Sequence, residues 1–176
     1  MIRYGTIAAL LAAGDQFLKS RVESQEPDQF PRPMEGTKGN ILLYRNHNAG
    51  FPFGFLKEHE ELVRTVPLAV TSMLAGMLAA LCEKKGRVVQ KLALAVVIGG
   101  SASNLYDRYV RKYVVDYFSI QRGPLKKVVF NLGDLCVFAG SMVFLLAKLA
   151  AEILSGHKEA RGRRRKDCID SGTEIL

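Results

Sequence analysis

Apolar runs close to the length of a bilayer crossing recur along this chain, separated by stretches too polar to share their surroundings. A helix needs about 20 mostly apolar residues to cross the roughly 30 Å of hydrocarbon in a bilayer. In lipid, only a helix or a closed barrel satisfies its own backbone. The runs at residues 2–18, 66–82, 88–106 and 130–154 fit that demand as helices. The expected fold is an all-α membrane protein with four transmembrane helices, forming one domain over residues 1–155. External loops then fall at 20–64 and 107–129, and a basic tail at 156–176.

Two of these runs carry an aspartate at the margin: GGSASNLYDRYVRKYVVDYF leads to Asp116, and FNLGDLCVFAG holds Asp134. An ionised carboxylate inside hydrocarbon costs about 2.5–3.5 kcal/mol on insertion scales, so it is kept there for a partner or a task. Two carboxylates brought together cannot both ionise easily. One keeps a proton while the other acts as a base, the arrangement that activates water for peptide hydrolysis. Asp116 and Asp134 are therefore the candidate catalytic pair. The competing reading from residue types is two unrelated acids, each satisfied by a nearby Asn, Arg or Lys.

Other polar residues lie at helical spacing. Asp15 and Lys19, four apart, share a face of the first run and can pair; the alternative is a lysine that snorkels to the surface beside a structural aspartate. That run, with Arg3 before it and Ala12, Ala13 and Gly14 after, also fits a cleavable secretory signal. Gly100, Asn104 and Asp107 make one small, polar stripe in a belt of small residues, which packing alone also explains. Asn131 and Asp134, three apart, share a face.

The loop at 20–64 is broken early by Pro27, Pro31 and Pro33. Within it NILLYRN reads as a short strand and NAGFPFGFL as a turn followed by Phe51, Phe53 and Phe55 on one side of an extended segment. Asn48, taken alone, is an ordinary turn former. The net charge of +8 rests largely on the terminal HKEARGRRRK. Beside a span, such a cluster contacts anionic headgroups, so no nucleic-acid partner is expected. That tail is too charged to pack and is expected to be disordered. Cys82, Cys136 and Cys168 form no spaced framework, so neither a disulfide scaffold nor a metal site nor a cofactor is indicated. The positive-inside rule does not orient the chain cleanly, because Arg108, Arg111, Lys112, Arg122, Lys126 and Lys127 fall between the third and fourth runs.

GDQFLKS, NAGFPFG, GGSASNLYDRYVRKYVVDYF and FNLGD follow one another in the order and approximate spacing of lipoprotein signal peptidases. The chain resembles this signal peptidase II family over residues 15–140. The resemblance places the family's catalytic aspartates on Asp116 and Asp134. Its supporting or substrate-binding positions fall on Asp15, Lys19, Asn48, Gly50, Asn104, Asp107, Arg108 and Asn131. It implies a bacterial plasma-membrane aspartic endopeptidase that removes signal peptides from diacylglyceryl-modified prolipoproteins. Both termini would be cytoplasmic and the active site near the outer leaflet, beside a small extracytoplasmic sheet. Membrane phospholipid and the cyclic peptide globomycin are implied as further partners.

On that basis Asn104 and Asn131 are expected to orient the carboxylates or the substrate backbone. Asp107 and Arg108 are expected to pair at the helix end, and Asn48 to close over substrate. The sequence departs from the family pattern at four places: Ser103 and Lys112 for glycines, Pro52 and Gly133 for alanines. Loss of a glycine matters where the backbone needs positive φ. Two readings from other classes are an idle relative that binds lipoproteins, and a four-helix proton-coupled transporter using Asp15, Asp107 and Asp134.

Overall fold

The structure is a computed structural model that describes residues 1–50 and 58–173, with side chains described as far as 154. The described residues form four helices and a small sheet: α1 (Ile2–Glu23), β1 (Arg32–Pro33), β2 (Ile41–Asn48), α2 (Glu60–Glu83), α3 (Val88–Tyr106), β3 (Val114–Ile120) and α4 (Leu132–Thr173). Short turns occupy Pro27–Gln29, Asp107–Arg111 and Gly123–Lys127.

Among the described residues, three helical segments are long and apolar enough to cross a membrane: Glu60–Glu83, Val88–Arg111 and Leu132–Leu154. Their outward faces carry large apolar side chains such as Met73, Phe138 and Leu146. That is the surface expected against lipid. The helix α1 is of similar length but carries Asp15 and Lys19, both completely buried.

Helix α3 is the centre of the bundle, with α1, α2 and α4 each packed on it. Its small-residue belt allows this. A Cβ on Gly99 would stand 2.7 Å from the Ala8 carbonyl oxygen of α1, and one on Gly100 would run into the Gly133 carbonyl of α4. From the α4 side, Gly140 leaves the same kind of room against Val97 and the Ala93 carbonyl of α3. Backbones meet here without side chains between them, the small-residue mode of helix contact in membranes.

Several sequence-based boundaries move. Helix α2 begins at Glu60, not 66, because Glu60 and Glu61 suit the positive end of the helix dipole. Pro67 consequently lies inside the helix instead of in its first turn, and Thr71 Oγ1 donates to the Pro67 carbonyl at 2.7 Å. The tail expected to be disordered continues α4 to Thr173. Lys, Arg, Glu and Ala are good helix formers, and no proline interrupts them.

The expected strand at 40–46 is β2, and it extends through Asn48. The segment at 107–129, read as a loop, instead contains β3, which pairs antiparallel with β2 in a sheet of order β1-β2-β3. The register runs Ile41 opposite Ile120 and Leu43 opposite Phe118, shifts at a bulge, then runs Asn46 opposite Asp116, His47 opposite Val115 and Asn48 opposite Val114. Because faces alternate along a strand, Asn48, Val114 and Asp116 share one face, while His47 and Val115 share the other. That second face packs, through Val115 and Tyr117, on Val22 of α1. The expected Phe51, Phe53 and Phe55 segment and Pro52 lie outside the described residues.

Candidate active site

Asp116 and Asp134 reach the same place from different elements, and Asn131 joins them. Asn131 immediately precedes α4. Its Oδ1 accepts from the Asp134 backbone N–H at 2.8 Å, while Asp134 Oδ2 accepts from the Asn131 backbone N–H at 3.2 Å. This reciprocal pair is a capping box that satisfies two otherwise unpaired donors at the helix start. With its Oδ1 so engaged, Asn131 turns its amide nitrogen to Asp116 Oδ1, donating at 2.7 Å. One completely buried residue thus donates to both carboxylates, to Asp116 from its side chain and to Asp134 from its backbone N–H.

Two more asparagines repeat the logic. Asn104 Oδ1 accepts from Lys19 Nζ at 2.7 Å, which leaves Nδ2 to donate to Asp134 Oδ1 at 2.9 Å. Asn48 Oδ1 accepts from the Gly50 N–H at 3.0 Å, and its Nδ2 donates to Asp116 Oδ2 at 3.2 Å. Each amide is oriented by a second partner, so each presents hydrogen atoms to a carboxylate. All four carboxylate oxygens of the pair receive a donor. Burial pushes the Asp116 carboxyl up to about 7, and the negative charge of Asp134 adds to the shift against the opposing effect of the asparagine donors.

Behind this pair lies a closed ionic cluster. Lys19 Nζ sits 2.9 Å from Asp15 Oδ2 and 2.9 Å from Asp107 Oδ2, all three residues fully buried. Asp15 also accepts from Ser103 Oγ at 2.5 Å, the Tyr117 hydroxyl at 3.1 Å and the Leu132 N–H at 3.1 Å. Asp107 accepts from Gln16 at 3.0 Å and the Val115 N–H at 3.2 Å, and forms an ion pair with Arg111. Breaking such a cluster by removing one ion typically costs 3–5 kcal/mol. Lys19 is therefore an internal strut and not a snorkelling side chain.

Asp107 and Arg108, expected to pair at the helix end, lie within Coulombic range of each other, but the ion pairs that hold the Asp107 carboxylate are with other residues. Asp107 turns inward to Lys19 and, one helical turn on, to Arg111. Arg108 donates to the Asn104 and Gly50 carbonyls, both at 3.4 Å, within Coulombic range of Asp134, Asp116 and Asp107. All ten sequence-derived positions nevertheless join one network. Gln16, Arg111 and Tyr117 were missed. The signal for Arg111 was its spacing of four from Asp107; Gln16 and Tyr117 each adjoin a singled-out aspartate. Among the described residues, no three His, Cys, Asp or Glu side chains gather as ligands for a metal.

A family-wide sequence model described as signal peptidase (SPase) II matches residues 7–150. The chain belongs to that family. Signal peptidase II proteins are bacterial membrane proteins, in keeping with the three membrane-length apolar helices here. Lipoprotein signal peptidases from Vibrio cholerae serotype O1 are 33% identical over 107 residues, 60% of this chain and 62% of theirs. The chain therefore matches less than two thirds of the length of those relatives. The lipoprotein signal peptidase of Mesorhizobium japonicum is 26% identical over 83% of this chain and 84% of its own. A solved bacterial membrane enzyme superposes with a TM-score of 0.69 at 18% identity, over 85% of this chain and 89% of that one, which speaks for the shared fold.

Three departures from the family pattern acquire physical content. Ser103 is no gap in the site, because its hydroxyl donates to Asp15 and accepts from Gln16 at 3.0 Å. Lys112 adopts φ 72° and ψ 0°, the left-handed region where glycine is favoured. Gly133 has no spare room, since a Cβ there would lie 3.0 Å from both Asn131 Oδ1 and Asp15 Oδ2.

Proposed function

We propose that the protein is an aspartic endopeptidase that removes signal peptides from diacylglyceryl-modified prolipoproteins, cutting before the lipid-bearing cysteine. The observation that carries this reading is Asn131, hydrogen-bonded at once to Asp116 and Asp134. Asp116, raised to about 7, is the member that keeps the pair's proton as pH rises towards neutrality, and it acts as the acid. Asp134 carries the charge and serves as the base.

In the reaction, Asp134 takes a proton from a water held between the two carboxylates as its oxygen attacks the scissile carbonyl. Asp116 donates to the carbonyl oxygen. Such general acid and base help is typically worth about 10²–10⁴ in rate. Asn48, Asn104 and Asn131 hold the carboxylates in register, and Arg108 and Gly50 border the site where a substrate backbone lies. The lipid chains of the substrate occupy the bilayer, so no soluble cofactor enters the scheme.

The topology that suits this chemistry has four crossings, with α1 joining the three strongly apolar helices. Both termini are then cytoplasmic, and the sheet carrying Asp116 lies at the outer leaflet among phospholipid headgroups. The transporter alternative draws no support, since Asp15 and Asp107 are fully buried and both bound by Lys19.

The test is cleavage of a diacylglyceryl prolipoprotein by the full chain in nanodiscs, followed by gel shift. Asp116→Asn and Asp134→Asn each abolish cleavage while the protein stays folded, and globomycin blocks the wild type. Near-normal turnover by either variant overturns the assignment.

A further inference from the structure

On the face of β2 away from the carboxylates, a second polar cluster gathers three elements around one side chain. Glu23, the last residue of α1, has its Oε1 2.8 Å from His47 Nε2 and 3.3 Å from Arg45 Nε. Its Oε2 accepts from the Tyr113 hydroxyl at 3.3 Å. The His47 ring stacks on Tyr113, with centroids 4.0 Å apart and planes inclined by 25°. Arg45 also donates to the Gln25 carbonyl at 3.1 Å, just past the end of α1. Helix α1, strand β2 and the residue that leads into β3 are thereby locked to one carboxylate.

The location gives this lock its meaning. The bulge beyond Leu43 interrupts the ladder, so the end of β2 is held to β3 only through Asn46, His47 and Asn48. A short, interrupted strand end frays unless side chains fix it. His47 immediately precedes Asn48, whose amide donates to Asp116, and the two side chains leave opposite faces of the strand. Fixing the imidazole between Glu23 and Tyr113 therefore sets the height and rotation at which the Asn48 amide meets the carboxylate.

We propose that His47, gripped by Glu23 and Tyr113, is a positioning residue for the proposed peptidase: it acts through Asn48 to hold a donor on Asp116. The inference rests on the reading of Asp116 and Asp134 as the reacting pair, but it assigns a role to side chains that never touch substrate.

A double-mutant cycle in the full chain, with kcat and KM measured separately on the lipid-modified precursor, tests it. In the wild-type background, His47→Ala lowers kcat about tenfold, the size of one lost hydrogen bond, with KM within about twofold. In an Asn48→Ala background, His47→Ala lowers kcat less than about twofold, because the group it positions is gone. His47→Gln, which keeps a donor for Glu23, recovers most of the lost rate. If His47→Ala fails to fold, Glu23→Gln takes its place in the same cycle with the same expected pattern.

An equal loss in both backgrounds makes the cluster a structural brace only and overturns the inference, as does an unchanged kcat in the wild-type background. Neither outcome touches the peptidase reading. That reading fails separately, and the inference with it, if the wild type leaves the precursor uncut or Asp116→Asn retains turnover.

Discussion

Replacing Asp116 by asparagine removes the group that the fold forces to hold a proton, and the consequence is measurable without any substrate. Burial and the neighbouring charge move this carboxyl from its ordinary 3.8 to about 7. Between those values the folded chain keeps a proton that the unfolded chain has released. The contribution to stability is thus complete below about pH 4, shrinks as pH rises, and is gone above about 7. The slope is about 1.4 kcal/mol per pH unit, or about 4 kcal/mol over the whole shift.

Between pH 5 and pH 8 the wild type should lose about 3 kcal/mol relative to Asp116→Asn, roughly 6–12 °C in thermal midpoint for a chain of this size. The variant has its own cost, since an amide NH₂ then meets the donors of Asn131 or Asn48, but that cost does not vary with pH. Circular dichroism melts of both proteins in nanodiscs at the two pH values give the answer. Midpoints that move in parallel from pH 5 to pH 8 would show that Asp116 does not retain its proton on folding, and the acid role assigned to it would go too.

Lys19→Met leaves Asp15 and Asp107 facing each other without their shared cation, and should destabilise the protein by about 3–5 kcal/mol in the same melts. Lys112→Gly relieves a left-handed backbone at the expense of one exposed hydrogen bond from Lys112 Nζ to the Tyr109 carbonyl. It should raise the midpoint by about 2–4 °C, for a gain of about 1 kcal/mol; a fall would mean that the lysine side chain outweighs the backbone strain. Gly100→Ala places a Cβ against the Gly133 carbonyl and 2.7 Å from Cys136 Cβ, and should cost about 1–3 kcal/mol as α3 and α4 separate. Unchanged stability there would mean that the helix contact is looser than described.

Hydropathy alone made α2, α3 and α4 legible, since each is an apolar run of membrane length. The strand β3 was not, for a physical reason: Val114, Val115, Asp116 and Tyr117 are all buried, so the alternation that marks a half-exposed strand is missing. The flanking basic residues then made the segment look like a loop. For Asp107, adjacency in sequence pointed to Arg108 and left its two ion-pair partners unread. Its ion pairs are one turn along, at Arg111, and on another helix, at Lys19. Their place at the margins of apolar runs, and then the resemblance, pointed to Asp116 and Asp134, but nothing in the sequence alone described Asn131 as the clasp between them. A capping box can be read from Asn131 and Asp134; its spare amide finding a residue on β3 cannot.

The closed set of Asp15, Lys19, Asp107 and Arg111 also bears on how the chain is made. Each side of the set is neutral by itself, Asp15 with Lys19 on α1 and Asp107 with Arg111 just past α3, and the Lys19–Asp107 contact joins them when the helices meet. Paired one turn apart, Asp15 and Lys19 would let α1 meet lipid as a neutral pair instead of two lone ions, each of which would cost about 2.5–3.5 kcal/mol there. Docking of α1 on α3 is then the joining of two neutral halves, with Lys19 to Asp107 as the contact that fixes their register.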